Sequence, residues 1–229
     1  KQRSLEKQQE MLQKDPENPA LQTAVSGLVN EVTSVSFSPD GKWIVSGSAD
    51  DTLKVWNISD GDSILTLSHD DEYDVTSVAF SPDGKRIVSA GGEKQLKLWD
   101  SETGEEIKTV LAHDDAVSSV SFSSDGNLLV SGGWDAMVKV WDAALGKSLL
   151  KLEGHSDEIN MVAISADSRR VASASEDKTL IVWNLPTGKK LLTLDSQKEA
   201  VTSIAFSPDG NRLVGGTKSG VKIWPLKKP

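Results

Sequence analysis

The sequence predicts an all-β protein built from five four-stranded antiparallel blades, and three observations predict it. The first is a repeat: alternating apolar segments begin at Val32, Val75, Val117, Ile159 and Val201, at spacings of 43, 42, 42 and 42 residues. At such a period each copy is one supersecondary unit that buries its apolar faces by stacking on its neighbours. The second is a turn that follows each segment, and the third is a tryptophan late in every copy: Trp56, Trp99, Trp141, Trp183 and Trp224.

The elements of a copy follow in order. Val32 to Phe37 alternates apolar and polar residues, as do Val75 to Phe80, Val117 to Phe122, Ile159 to Ile164 and Val201 to Phe206, and a period of two is that of a strand whose two faces meet different surroundings. Ser38-Pro39-Asp40-Gly41 reverses the chain, with Ser81 to Gly84, Ser123 to Gly126 and Ser207 to Gly210 as counterparts; Pro presets one backbone angle, Asp bonds nearby amides and Gly accepts a positive φ. A second strand (Trp43 to Ser46, Arg86 to Ser89, Leu128 to Ser131, Arg170 to Ser173, Arg212 to Gly215) leads through a small-residue hairpin into a third that ends at the tryptophan. A fourth apolar stretch (Ile64 to Leu67, Ile107 to Val110, Leu149 to Leu152, Leu191 to Leu194) completes the copy. Four short strands per repeat describe a propeller blade, and no segment between the repeats needs a helix-period core to explain it, which argues against an α/β fold.

The tryptophan is followed by Asp at Trp99-Asp100 and Trp141-Asp142, by Asn at Trp56-Asn57 and Trp183-Asn184, and by Pro at Trp224-Pro225. Five such matches in phase resemble the WD-repeat β-propeller family over roughly Leu21 to Pro225. That resemblance implies a buried quartet in each blade: His before the first strand, Ser or Thr on the second, Asp in the next hairpin, and the Trp. Two copies carry all four, as His113, Ser131, Asp135, Trp141 and as His155, Ser173, Asp177, Trp183. The first copy has Ser46, Asp50 and Trp56 but Leu28 at the His position; the second has Ser89, Trp99, Glu93 in place of Asp, and His69 displaced by a longer loop; the fifth has Gln197 and Gly215. The third and fourth blades are therefore expected to be the most rigid. A Ser, His and Asp together also suggest a hydrolase triad, but the same trio recurs one blade apart and no Gly-x-Ser-x-Gly elbow is present.

The fifth copy stops after its third strand, and alignment of Val32 with Ile159 sets Leu21 to Val25 at the place of a fourth strand. The resemblance implies that this N-terminal strand completes the last blade and closes the ring into a monomer; an open arc paired with a second copy is the alternative. We thus expect residues 21–229 to form the propeller, and residues 1–20, rich in Gln, Glu and Lys, to be a short helix or linker stopped before Pro16. The chain begins with Lys1, which suggests excision from a longer protein or engineering.

With 25 basic and 34 acidic side chains the formal charge is -9, which works against binding nucleic acid, since Lys and Arg supply most of the affinity for phosphates. No cysteine is present, so neither disulfides nor thiolate metal sites form, and the apolar runs are far too short to span a membrane. These features predict a cytoplasmic protein, with the nucleus as the other compartment, and no cofactor, metal or catalytic residues.

The function expected is a non-catalytic scaffold that presents loops to a protein or peptide partner. The loops before the first strands are acidic (Asp70, Asp71, Glu72 and Asp74; Asp114 and Asp115; Asp157 and Glu158; Glu199) and would attract a basic segment. Trp134 stands where the other copies have Ala49, Gly92, Glu176 and Lys218, an odd aromatic of the kind that anchors interfaces. Tyr73 is a second such residue, and Asn160, with Thr33, Thr76, Ser118 and Thr202, recurs at the start of the first strand. Two other readings stay open: an architectural or designed repeat without a ligand, and a small-ligand or enzymatic propeller.

Overall fold

In a computed structural model, which describes residues 31–69, 73–195 and 199–226, the chain is all β. Blade 1 is β1 (Val32–Phe37), β2 (Trp43–Ser48), β3 (Thr52–Asn57) and β4 (Ser63–Ser68). Blade 2 is β5 (Val75–Phe80), β6 (Arg86–Gly91), β7 (Gln95–Asp100) and β8 (Glu106–Leu111). Blade 3 is β9 (Val117–Phe122), β10 (Leu128–Gly133), β11 (Val138–Asp142) and β12 (Ser148–Leu152); blade 4 is β13 (Ile159–Ile164), β14 (Arg170–Ser175), β15 (Thr179–Asn184) and β16 (Lys190–Asp195). Blade 5 is β17 (Val201–Phe206), β18 (Arg212–Thr217) and β19 (Gly220–Pro225). Each blade is an antiparallel meander in sequence order, with three strands described in the last. The proposed closing strand at Leu21 to Val25, the N-terminal helix and Leu28 lie outside the described residues.

The turn after each first strand is stitched by its own side chains. The Ser38 hydroxyl donates to Asp40 (2.7 Å) and accepts from the Trp43 amide (2.9 Å), while Asp40 accepts from the Lys42 amide (3.1 Å). Gly41 supplies the left-handed backbone at φ 70°, and in the fourth copy Ser168 adopts the same region at φ 54°.

Alternation along the strands divides each blade into a face toward the preceding blade and one toward the next. Val45, Leu53 and Val55 of blade 1 pack on Val75, Val78, Phe80, Ile87 and Trp99 of blade 2. The scheme repeats with Leu96 and Leu98 against Val120 and Trp141, with Val138 and Val140 against Val162 and Trp183, and with Leu180 and Val182 against Ile204 and Leu213. Among the described residues the core is therefore four layers between blades, each buried side chain contributing roughly 1.5–3 kcal/mol. Polar groups join the same layers: the hydroxyl of Ser118 donates to the Ile159 carbonyl, and those of Ser34, Ser77 and Ser119 accept amides of Val78, Val120 and Val162 at 3.1–3.2 Å.

The outward faces of the end blades differ. Val35 and Phe37 are 41% and 50% exposed, whereas their counterparts Val78 and Phe80 are buried. On blade 5 Val221 and Ile223 are 70% and 61% exposed, where Leu53 and Val55 are buried.

Candidate functional site

The meander places all β2–β3-type hairpins and all loops entering first strands at one end of the blades, and the first turns at the other. At the hairpin end lie the His-containing relays. In blade 3 the Trp141 indole donates to the Ser131 hydroxyl (3.0 Å), which meets His113 Nε2 (2.8 Å), while His113 Nδ1 meets Asp135 (2.9 Å). In blade 4 Trp183 donates to Ser173 (3.0 Å), Ser173 meets His155 Nε2 (2.7 Å), and His155 Nδ1 meets Asp177 (2.8 Å). With the ring neutral, the proton on Nδ1 goes to the carboxylate and the hydroxyl donates to Nε2, so every polar atom in the chain of bonds has a partner.

Blade 2 departs from the sequence reading. His69 is buried, bonds Ser89 through Nε2 (2.6 Å) and Glu93 through Nδ1, and Ser89 accepts the Trp99 indole (2.8 Å). The relay is complete despite the displaced His69 and the Glu, because two extra loop residues and one extra methylene bring the ends together. Glu93 Oε2 remains buried without a hydrogen-bond partner. In blade 1 Trp56 donates to Ser46 (2.8 Å).

Electrostatics follow from these contacts. Burial works against ionisation of Asp135, but hydrogen bonds from His113 and from the Asp114 and Met137 amides outweigh it and hold the carboxyl at about 2. Asp177 is also lowered: burial opposes this, and Thr179, His155 and the Ser156 amide prevail. Burial pushes the His155 imidazole down against the pull of Asp177.

Around the relays, the Trp134 amide donates to the Ala116 carbonyl (2.9 Å), pinning its hairpin to the loop that carries Asp114 and Asp115. Its side chain is 47% exposed. The Asp114 amide bonds Asp135 (3.0 Å), leaving its own carboxylate outward, and Asp115 accepts the Ala116 amide (2.8 Å). Trp134, Asp114 and Asp115 are thus brought together. Tyr73, also exposed, lies over Gly92, and the Asp74 carbonyl accepts the Gly92 amide (3.2 Å). Glu158 holds the fourth hairpin through its carbonyl, which accepts the Glu176 amide (2.9 Å). Asp70, Asp71, Glu72 and Gln197 fall outside the described residues. Asn160, the remaining candidate for partner binding, is engaged within the fold: its amide donates to Glu176 (2.9 Å) and to the Val201 carbonyl of the next blade (3.0 Å), so it ties blades. Thr33 and Thr76 do likewise toward Val75 and Val117.

At the opposite end a cavity of about 760 Å³ opens between blades 1 and 2, its wall including Trp43, Ile64 and Phe80. The repeat pattern gives little sign of it. The available signal was Trp43, which begins the second strand where Arg86, Arg170 and Arg212 begin theirs.

Among the described residues no group of three or more His, Asp or Glu side chains is placed to hold a metal, and no helix is long and apolar enough to cross a membrane. Stacked antiparallel blades, three of them braced from within by Trp–Ser–His–carboxylate relays, define a propeller-type repeat protein. The chain belongs to the WD40 family (WD domain, G-beta repeat), whose profile matches residues 23–57, 61–100, 104–142, 146–184 and 188–225. It is also 43% identical over 63 residues to a ribosome biogenesis protein BOP1 homolog from Monosiga brevicollis, a match that takes in 28% of this chain and 8% of that protein. WD40 propellers generally act as protein-interaction scaffolds without catalysis.

Proposed function

We propose that this chain is a non-catalytic scaffold that captures a protein or peptide segment, with basic residues in that segment, at the hairpin end of blades 2 and 3. The observation that carries this reading is Trp134: a large aromatic, exposed, on a hairpin whose backbone is pinned beside Asp114 and Asp115. A rigidly mounted Trp loses little side-chain freedom on binding, and such residues dominate interface energies. The carboxylates beside it steer a basic segment and set its orientation. The relays support the platform: buried Ser131 and His113 are engaged with one another and with half-buried Asp135, and they hold the hairpin in place.

The BOP1 homolog matches over so short a stretch, 63 residues, that its name supplies no partner for this chain. The test is affinity capture with the whole chain as bait. Trp134→Ala is expected to weaken capture of a bound protein by at least about tenfold, and Asp114→Lys with Asp115→Lys to slow association and abolish its salt dependence, with melting temperatures unchanged. Capture unaffected by both variants would remove this surface from the reading.

A further inference from the structure

Arginine begins the second strand of blades 2 and 4, and there it does the same thing twice. The Arg86 guanidinium reaches across to blade 3, lies 5.8 Å from the Phe122 ring centroid and donates to the Ala143 carbonyl at 2.7 Å. Arg170 reaches across to blade 5, lies 5.5 Å from the Phe206 ring centroid and donates to the Gly210 carbonyl at 2.7 Å. A planar cation over an aromatic face, bonded to a backbone carbonyl, closes both junctions at the first-turn end. At the junction of blades 3 and 4 the pair is apolar instead, Leu128 and Ile164 packing on one cluster.

The junction of blades 1 and 2 has the receiving half of this arrangement without the arginine. Phe80 ends β5 as Phe122 and Phe206 end β9 and β17, Gly84 closes its turn as Gly210 does, and Ser101 follows Asp100 as Ala143 follows Asp142. All three of these residues line the cavity of about 760 Å³, and Trp43, half-buried, stands where the arginine would start. The rim carries Asp40, Asp83, Asp100 and Glu102 against one cation, Lys85. Hydrogen bonds keep three of these carboxylates ionised: from the Ser38 hydroxyl to Asp40, from the Ser81 hydroxyl to Asp83, and from the Thr103 and Glu102 amides to Asp100.

We propose that this groove receives an arginine side chain from a partner polypeptide, in the place that Arg86 and Arg170 fill at the junctions of blades 2 and 3 and of blades 4 and 5. The guanidinium stacks on Trp43 above the edge of Phe80 and donates to the Gly84 and Ser101 carbonyls. Gly84 already accepts the Ser101 hydroxyl at 2.6 Å, and a carbonyl has a second lone pair to offer. Arginine suits the groove better than lysine, since its fork is planar, weakly hydrated and able to stack and bond together. The inference rests on the scaffold reading but concerns the end of the blades opposite Trp134.

The test is an NMR titration of the isotopically labelled full chain with the capped peptide Gly-Gly-Arg-Gly-Gly, set against its lysine and citrulline analogues. Saturating shifts are expected at the Trp43 indole and the Phe80, Gly84 and Ser101 amides, with a dissociation constant on the order of a millimolar, weaker for lysine and absent for neutral citrulline. Asp83→Asn should weaken arginine binding about twofold to fivefold. Trp43→Arg supplies the cation from within and should abolish the titration while the melting temperature holds or rises. Absence of saturating shifts at the groove, equal shifts with citrulline, or a Trp43→Arg variant that titrates like the native chain would each overturn the proposal. Loss of capture by Trp134→Ala, measured on the same preparations, keeps the scaffold reading intact if the groove alone fails.

Discussion

Asp135, Asp177 and His155 are each held in the form that completes a relay, and each therefore couples folding to pH. Both carboxyls have folded pKa values below the ordinary range, Asp135 at about 2. Their contribution is whole above the unfolded value, about 3.9, and is lost as the pH falls through it toward the folded value. His155 is also lowered, here because burial disfavours the imidazolium. The unfolded chain then binds the proton more readily, so this contribution is whole above about pH 6.5 and declines below it. Urea midpoints are expected to fall in two stages on acidification, first below about pH 6.5 and again below about pH 4. A midpoint constant from neutrality down to the lower stage would contradict the role given to His155. The relays of blades 3 and 4 were legible in the sequence because their four residues keep one spacing. That of blade 2 was not, since His69 lies two residues further from Ser89 and Glu93 compensates with its length.

At the scale of the element, the strands were legible because alternation with a period of two reports which side chains leave each face. Leu53 and Val55 in β3 and their counterparts in β7, β11 and β15 do pack toward the next blade. What crosses a junction was harder to read, because a period says which face a residue is on and nothing of how far it reaches. Arg86 looks like a solvated charge at the start of β6, yet it spans to blade 3. Arg86→Ala is expected to destabilise the protein by about 1–2 kcal/mol, from the lost stacking on Phe122 and the lost bond to Ala143. Chemical denaturation measures this, and a change near zero would mean that the arginine lies free in solution. Asn160 carries the same lesson at the other end, where a residue at a loop-to-strand boundary turned out to join β13 to β17.

For the whole molecule, stability in a stack of blades is a sum of blade terms and neighbour terms. Blades 2, 3 and 4 have a complete relay and an apolar layer on each side. Blade 5 has Gly215 where the relay hydroxyl stands and carries exposed Val221 and Ile223 on its outward face, and among the described residues β19 ends its sheet. Local opening should therefore begin there. Native-state hydrogen exchange is expected to show the slowest amides in β10 and β14, which are central in their sheets and buried along most of their length. The fastest strand amides should lie in β19, because its exposed face and small neighbour term leave local opening well below the global free energy. Protection in β19 equal to that in β10 would show that its outward face is covered in solution and that the last blade is held as tightly as the central ones.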